Sequence, residues 1–314
     1  MSGAAVAIGR SLALRIATLL VVVVLTFWLL SMLPGDGVGQ LVGRDVSASD
    51  AAATAHALGV DRAWPVQCAV WLGRVLRGDF GVSHQGEPIA DVVGRRVPAT
   101  LLLAVGAMAL GTVLALAGGL LAHARPGGPV ARGVDVLTGL FLAIPEFALG
   151  VALTLVFGVW LAWLPTVTVP GPGGGPASAS MLVLPMLALA LPVAARNVGV
   201  VAAALAEADA LPGARAARLD GATPTEILTR HLAPAAAPTV AAALAVSFSP
   251  LLGGTVVVET LFNYPGLGSV LSGAISDRDA ALAATVVLLM AAVMTLALIG
   301  ADLLRAWGNR GRRI

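Results

Sequence analysis

From Glu207 to Thr239 the chain reads EADALPGARAARLDGATPTEILTRHLAPAAAPT, and Arg215, Arg218, Arg230 and His231 stand there among Glu207, Asp209, Asp220 and Glu226. Guanidinium groups donate charge-assisted hydrogen bonds to carboxylates and carbonyls, so the chemistry on offer is recognition. The stretch lies between two long apolar segments and reads as a docking surface. A solvated loop with incidental helices is the competing reading.

Catalytic chemistry is poorly provided for. The chain contains no lysine, and a P-loop needs one to reach nucleotide phosphates, which excludes a self-contained ATPase of that type. The four histidines, His56, His84, His123 and His231, fall outside the apolar segments and no HExxH occurs, which argues against an intramembrane metalloprotease or Ser-His protease. Two charges fall well away from the ends of the apolar segments: Glu146, directly after Pro145, and Arg196, directly before Asn197. A lone charge at membrane depth costs about 2.5 to 3.5 kcal/mol on insertion scales, so such residues face a partner or a watery cavity. Glu146 is expected to line a polar path, with a protonated or Arg196-paired structural role as the alternative.

A third group closes another apolar segment: Glu259, then Phe262, Asn263, Tyr264, Pro265 and Gly266. Leu267, Val270, Leu271, Ala274 and Ile275 follow at i, i+3, i+4, i+7 and i+8, the pattern of an amphipathic helix too short to cross a bilayer. It is read either as a gate at the outer face or as a passive interfacial helix.

The elements that position these groups follow from composition. Hydrophobic residues make up 58% and charged residues 11% of 314 positions, against roughly 45 to 50% and 25% in soluble domains, so the protein is integral to a membrane. Spans of about 20 apolar residues are predicted at 12–33, 98–122, 134–158, 181–204, 236–258 and 280–303. Arginines stand before and at the start of the first span (Arg10, Arg15), separate the second from the third (Arg125, Arg132) and the fourth from the fifth, and follow the sixth (Arg305, Arg310, Arg312, Arg313). The positive-inside rule then makes both termini and the central loop cytoplasmic. The 34–97 segment carries arginines too, but at about 60 residues the rule weakens.

Other segments are read more simply. LPGDG rather than an A-x-A site follows the first span, so that span is an uncleaved anchor. Cys68 has no intrachain partner. Trp64, Cys68, Trp71, Leu72, Val75 and Leu76 recur at helical spacing, giving a helix that lies on the membrane surface or packs against the bundle. Residues 159–180, rich in proline and glycine with Trp160 and Trp163 at the outer interface, are expected to be loop and nothing more.

Within the central stretch, Pro212 and Gly213 interrupt the incoming helix, and a short helix restarts with proline at its first position. It should stop near Asp220, where Gly221 allows a left-handed backbone. Thr223, Pro224 and Glu226 form a capping-box pattern that opens a second short helix towards His231. Two short helices meeting at a glycine make an elbow.

The whole chain resembles the permease subunits of ATP-binding-cassette importers, in the class for dipeptides, oligopeptides, nickel and related solutes. Matching runs are LPGD (Leu33–Asp36), LGVDRAWPVQ (Leu58–Gln67), LRGDFGVS (Leu76–Ser83), RRVPATL (Arg95–Leu101), Pro145 with Phe147 and Gly150, Leu191–Pro192, GGTVVVETLFNYPGLG (Gly253–Gly268) and the basic tail. Arg215, Ala217, Arg218, Gly221, Arg230 and His231 fall where that family has its cytoplasmic coupling segment. This chain departs from it at Pro212-Gly213, where Asp-Tyr is usual, at Leu219-Asp220, where Ala-Lys is usual, and at Gly199 and Ala202, where basic residues are frequent.

The resemblance implies an all-α integral membrane protein with six transmembrane helices. Its parts are a cytoplasmic N-terminus and first span (1–33), an extracytoplasmic loop (34–97), a five-helix core (98–304) with a coupling loop (207–235), and a basic tail (305–314). It implies a partner permease, a different chain in the usual pattern of the class, two cytoplasmic ATPase subunits that bind ATP and magnesium, and an extracytoplasmic solute-binding protein. The chain itself would bind no cofactor and catalyse nothing, and nucleic acid has no part. Coupling would fall to Arg215, Ala217, Arg218, Gly221, Thr223, Pro224, Glu226, Arg230 and His231. Path or gate would fall to Pro145, Glu146, Arg196, Asn197, Glu259, Phe262, Asn263, Tyr264, Gly266 and Leu267. Transport of di- or oligopeptides across a prokaryotic cytoplasmic membrane by alternating access is the leading expectation, with nickel, an opine-like metallophore or glutathione as other solutes. A passive channel or structural scaffold is the alternative.

Overall fold

A computed structural model describes residues 2–32, 56, 61–171 and 175–310; the LPGD run and most of 34–60 lie outside them. The element order is α1 (Ser2–Ser31), α2 (Trp64–Val75), α3 (Ile89–Ala124), α4 (Pro129–Ala143), α5 (Glu146–Leu153), α6 (Val183–Asp209), α7 (Pro212–Leu219), α8 (Pro224–Ile227), α9 (Ala233–Leu261), α10 (Leu267–Ser276) and α11 (Ala280–Arg310). Wide π turns occupy Thr154–Trp160 and Leu228–Leu232. The fold is all-α.

Five helical stretches, within 14–31, 89–124, 179–209, 224–261 and 280–300, are long and apolar enough to cross a membrane. The expected third span, 134–158, is not one continuous helix: α4 and α5 meet at an angle of 109° and make a sixth crossing only as a broken pair. Pro145 explains the break. It lacks an N–H and forces the preceding residue out of the helical region, and Ile144 is indeed extended at φ −92°, ψ 123°. Glu146 thus opens a half-helix at the break in the middle of this bent pair. A second correction concerns the fifth span. The short α8 runs through the π turn directly into α9, so the helical path from Pro224 to Leu261 is 38 residues long. Pro234 has no N–H for an ordinary helical bond, and the wider turn before it lets the chain pass that position without a clash.

The chain divides into two compact units. One holds residues 1–100, 173–175 and 265–295. There α2 packs on the bundle: Cys68 and Trp71 are buried against Val23, Phe27 and Ala284, with the Trp71 and Phe27 rings 5.7 Å apart. Burial pushes the Cys68 thiol up from its ordinary value. Arg15 donates to the carbonyl of Thr295 at 3.3 Å. The N–H of Leu267, opening α10, donates to the Thr100 hydroxyl at 2.8 Å.

Asp279, which the sequence did not single out, is 2% exposed. Its carboxylate caps α11 by accepting from the Leu282 N–H at 2.9 Å and fixes the 81–88 loop by accepting from the His84 N–H at 2.7 Å. The N–H groups at a helix start lack intrahelical acceptors, which is why a carboxylate is favoured there.

The other unit holds residues 101–172, 176–264 and 296–314, and the packing of α6 along α9 is its main contact. Small residues let the helices approach. A Cβ added at Gly119 of α3 would stand 2.5 Å from Val201 of α6. Buried Asn197 donates to Ser247 at 2.8 Å across the α6–α9 seam.

Replacing Asp279 by alanine removes both bonds and leaves the His84 N–H without its acceptor. An unsatisfied buried donor costs about 1–3 kcal/mol, so Asp279→Ala should lower the melting temperature of the purified protein while Asp279→Asn lowers it less. Thermal unfolding of the three proteins side by side checks this, and identical curves would contradict it.

Candidate functional site

The elbow is built by caps. Pro212 opens α7, whose last turn ends in a Schellman motif: the Ala222 N–H donates to Ala217 O at 3.0 Å and the Gly221 N–H to Arg218 O at 3.2 Å. That closure needs a left-handed residue, and Gly221 supplies it at φ +81°. Thr223 then caps α8. Its hydroxyl accepts from the Glu226 N–H at 3.3 Å, and the Glu226 carboxylate accepts from the Thr223 N–H at 3.0 Å. Beneath the elbow lies an apolar cluster of Val201, Leu205 and Ala208 from α6, Ala214 from α7, Ile227 from α8 and Leu232 and Val240 beyond. The polar surface is therefore held on a packed base.

The placement of its charged side chains differs in part from expectation. Arg215 and Arg230 are exposed and His231 is half-buried, but Arg218 is taken by Asp209 at the end of α6. Hydrogen bonding to Asp209 raises the Arg218 guanidinium above its ordinary value, so Arg218 braces α7 on its own chain. What the elbow presents at its tip is apolar: Leu219, 90% exposed, beside Gly221, around which an added Cβ would meet no atom within 4 Å.

At membrane depth the structure joins Glu146 to Arg196 by an ion pair of 3.3 Å. Gly254 of α9 is close by, its added Cβ falling 3.1 Å from a Glu146 carboxylate oxygen. Asn197 does not join them. It is 2% exposed and spends its amide on Val193 O and Ser247, holding α6 to α9.

The residues that close α9 and open α10 are buried as well: Glu259, Phe262 and Tyr264 are at most 1% exposed, and Leu267 is 4% exposed. Gly266 caps α10. The 159–180 connection proves to be more than a loop. The N–H of buried Thr168 donates to Phe262 O at 2.8 Å, and left-handed Asn263 donates its amide to Thr168 O at 3.4 Å. Thr168, Ser247 and Leu219 are the site residues that sequence reasoning missed, and Asp209, named among the charges of the patch, was not read as the partner of Arg218. Of these only Leu219, apolar in a charged run, carried a local signal.

Residues 99–314 match the family described as binding-protein-dependent transport system inner membrane component, and residues 6–104 match the N-terminal family of such membrane components. The chain belongs to this family. The permease is 30% identical over 299 residues, 94% of this chain and 95% of the relative, to a probable peptide ABC transporter permease of Sinorhizobium fredii. It is 32% identical over 266 residues, 84% of each chain, to a glutathione transport system permease of Escherichia coli K12. In fold it is similar to the inward-facing MetNI methionine ABC transporter, with a TM-score of 0.57 and 24% identity over 70% of this chain and 98% of that one. It is also similar in fold to an amino acid ABC transporter, with a TM-score of 0.51 and 18% identity over 70% of this chain and 94% of that one. The chain is a multi-pass permease subunit of an ABC importer, a family without an ATPase domain of its own.

At Gly221 the permease separates backbone from side-chain effects. A side chain in the left-handed region costs about 1–2 kcal/mol, with asparagine best tolerated. Gly221→Val should loosen the elbow and speed limited proteolysis between α7 and α8, and Gly221→Asn should do so far less. Equal cleavage rates would show that the Schellman closure does not hold the elbow.

Proposed function

We propose that this permease imports short peptides across a cytoplasmic membrane and receives its work through the elbow at 212–231. The observation that carries the reading is the elbow's build, a braced and capped pair of helices ending in an exposed Leu219 and an uncrowded Gly221. A leucine left in water at a rigid tip suits insertion into an apolar groove of a partner. The partner is a cytoplasmic ATPase subunit, one of two, on which ATP and magnesium bind. The permease itself holds neither. Arginine placement supports cytoplasmic termini and a cytoplasmic elbow. A second permease, a different chain, completes the path, and an extracytoplasmic binding protein delivers the solute. The peptide and glutathione relatives support a short peptide as that solute.

ATP-driven closure of the ATPases would displace the elbow and shift the spans between inward- and outward-open states. Near the outer end, α10 serves as a gate, with Ile275 exposed, Leu271 half-buried and Leu267 buried. A passive channel would need no such docking surface.

Solute-stimulated ATP hydrolysis in the reconstituted complex is the test. Leu219→Asp and Gly221→Asp should leave the spans inserted and reduce stimulation at least tenfold. Stimulation at the wild-type level in both variants would mean that force enters elsewhere.

A further inference from the structure

We infer that Glu146 and Arg196 form an intramembrane receptor for the two charged ends of a short peptide, Glu146 taking its ammonium group and Arg196 its carboxylate. The inference rests on the importer reading and names the chemistry that the path recognises.

The pair is loosely made. Its one contact is 3.3 Å long, whereas charge-assisted pairs close to about 2.7–2.9 Å. The guanidinium offers five donors, and among the described residues Glu146 is its one side-chain partner. Both groups remain open, Arg196 at 36% and Glu146 at 29% side-chain exposure. Charges at this depth cannot face hydrocarbon cheaply, so the opening faces water or protein.

The position suits a receptor. Arg196 lies 13 residues from either end of α6, about 20 Å from each at 1.5 Å per residue, well inside the apolar span. Glu146 starts α5 just past the break at Ile144–Pro145. Broken helices at membrane depth are tolerated where they line a watery cavity or are buried in protein. The first N–H groups of α5 lack intrahelical acceptors, which favours negative charge there. Gly254 keeps a third side chain out of the space beside the carboxylate.

Exchange with a zwitterion is balanced. The empty site is a neutral pair. A bound free-ended peptide replaces one ion pair by two and leaves no charge alone, the condition that makes buried charge costly. A peptide with blocked ends offers only neutral amide groups, which do not replace the ion pair that would have to open. An extended tripeptide spans about 10 Å at most, which the long arginine stem can follow and which longer chains would exceed.

The test titrates the permease–ATPase complex, free of nucleotide and binding protein, with trialanine, N-acetyl-trialanine and trialanine amide by calorimetry. Wild-type complex should bind trialanine at least tenfold more tightly than either blocked form. Glu146→Gln should lose the preference for a free amino end and keep that for a free carboxylate, and Arg196→Gln the reverse. The double variant Glu146→Gln/Arg196→Gln, which leaves no charge unpaired and guards against misfolding of the singles, should bind all three alike. Absence of trialanine binding to wild type, equal affinity for free and blocked forms, or an unchanged end preference in the variants overturns the inference. ATP hydrolysis stimulated by the binding protein, read on the same preparations, separates the two claims. Coupled hydrolysis without end preference discards the receptor alone, and a wild-type permease that recruits no ATPase discards the importer reading.

Discussion

The packing of α6 against α9 is the contact on which the rest of its unit depends. At one end the seam contributes Val201, Leu205, Leu232 and Val240 to the base under the elbow. In its middle it is fixed by Asn197 and Ser247, and beside that bond Arg196 pairs with Glu146, whose carboxylate finds room where Gly254 has no side chain. Alanine, valine and glycine make so close a seam possible, because dispersion contacts fall off steeply with distance. In a membrane, where burying apolar surface gives little drive for helix association, such contacts supply most of the adhesion.

Features set by near neighbours in the chain were legible in the sequence. The start of α7 at Pro212, its stop at Gly221 and the Thr223–Glu226 box depend on residues within four positions of one another, and the structure has all three. The apolar spans were legible for the same reason, since hydropathy is summed over a contiguous window. The Glu146–Arg196 pair was one of two readings that the sequence left open.

Features set by distant neighbours were not legible. Arg218 was assigned to another molecule because nothing local says that α7 folds back on Asp209. Thr168 sits in a proline-rich connection without helical or strand period, and only the fold brings it to Phe262 and Asn263. Proline was the most ambiguous letter. Pro192, Pro238 and Pro250 remain inside helices, while Pro145 bends the chain by 109°. Neighbouring helices can satisfy or strand the freed backbone groups, so residue type alone does not decide.

The unbroken path from Pro224 to Leu261 gives the elbow a long arm. Its 38 residues extend about 57 Å at 1.5 Å each, nearly twice the roughly 30 Å of a hydrocarbon core. A rod of that length, pivoting by about 10° at one end, sweeps some 10 Å at the other. No flexible joint is needed for a small push at the elbow to become a displacement comparable to the width of a helix. The π turn at Leu228–Leu232 is the place where this arm can yield, and its compliance would set how much of the stroke is lost.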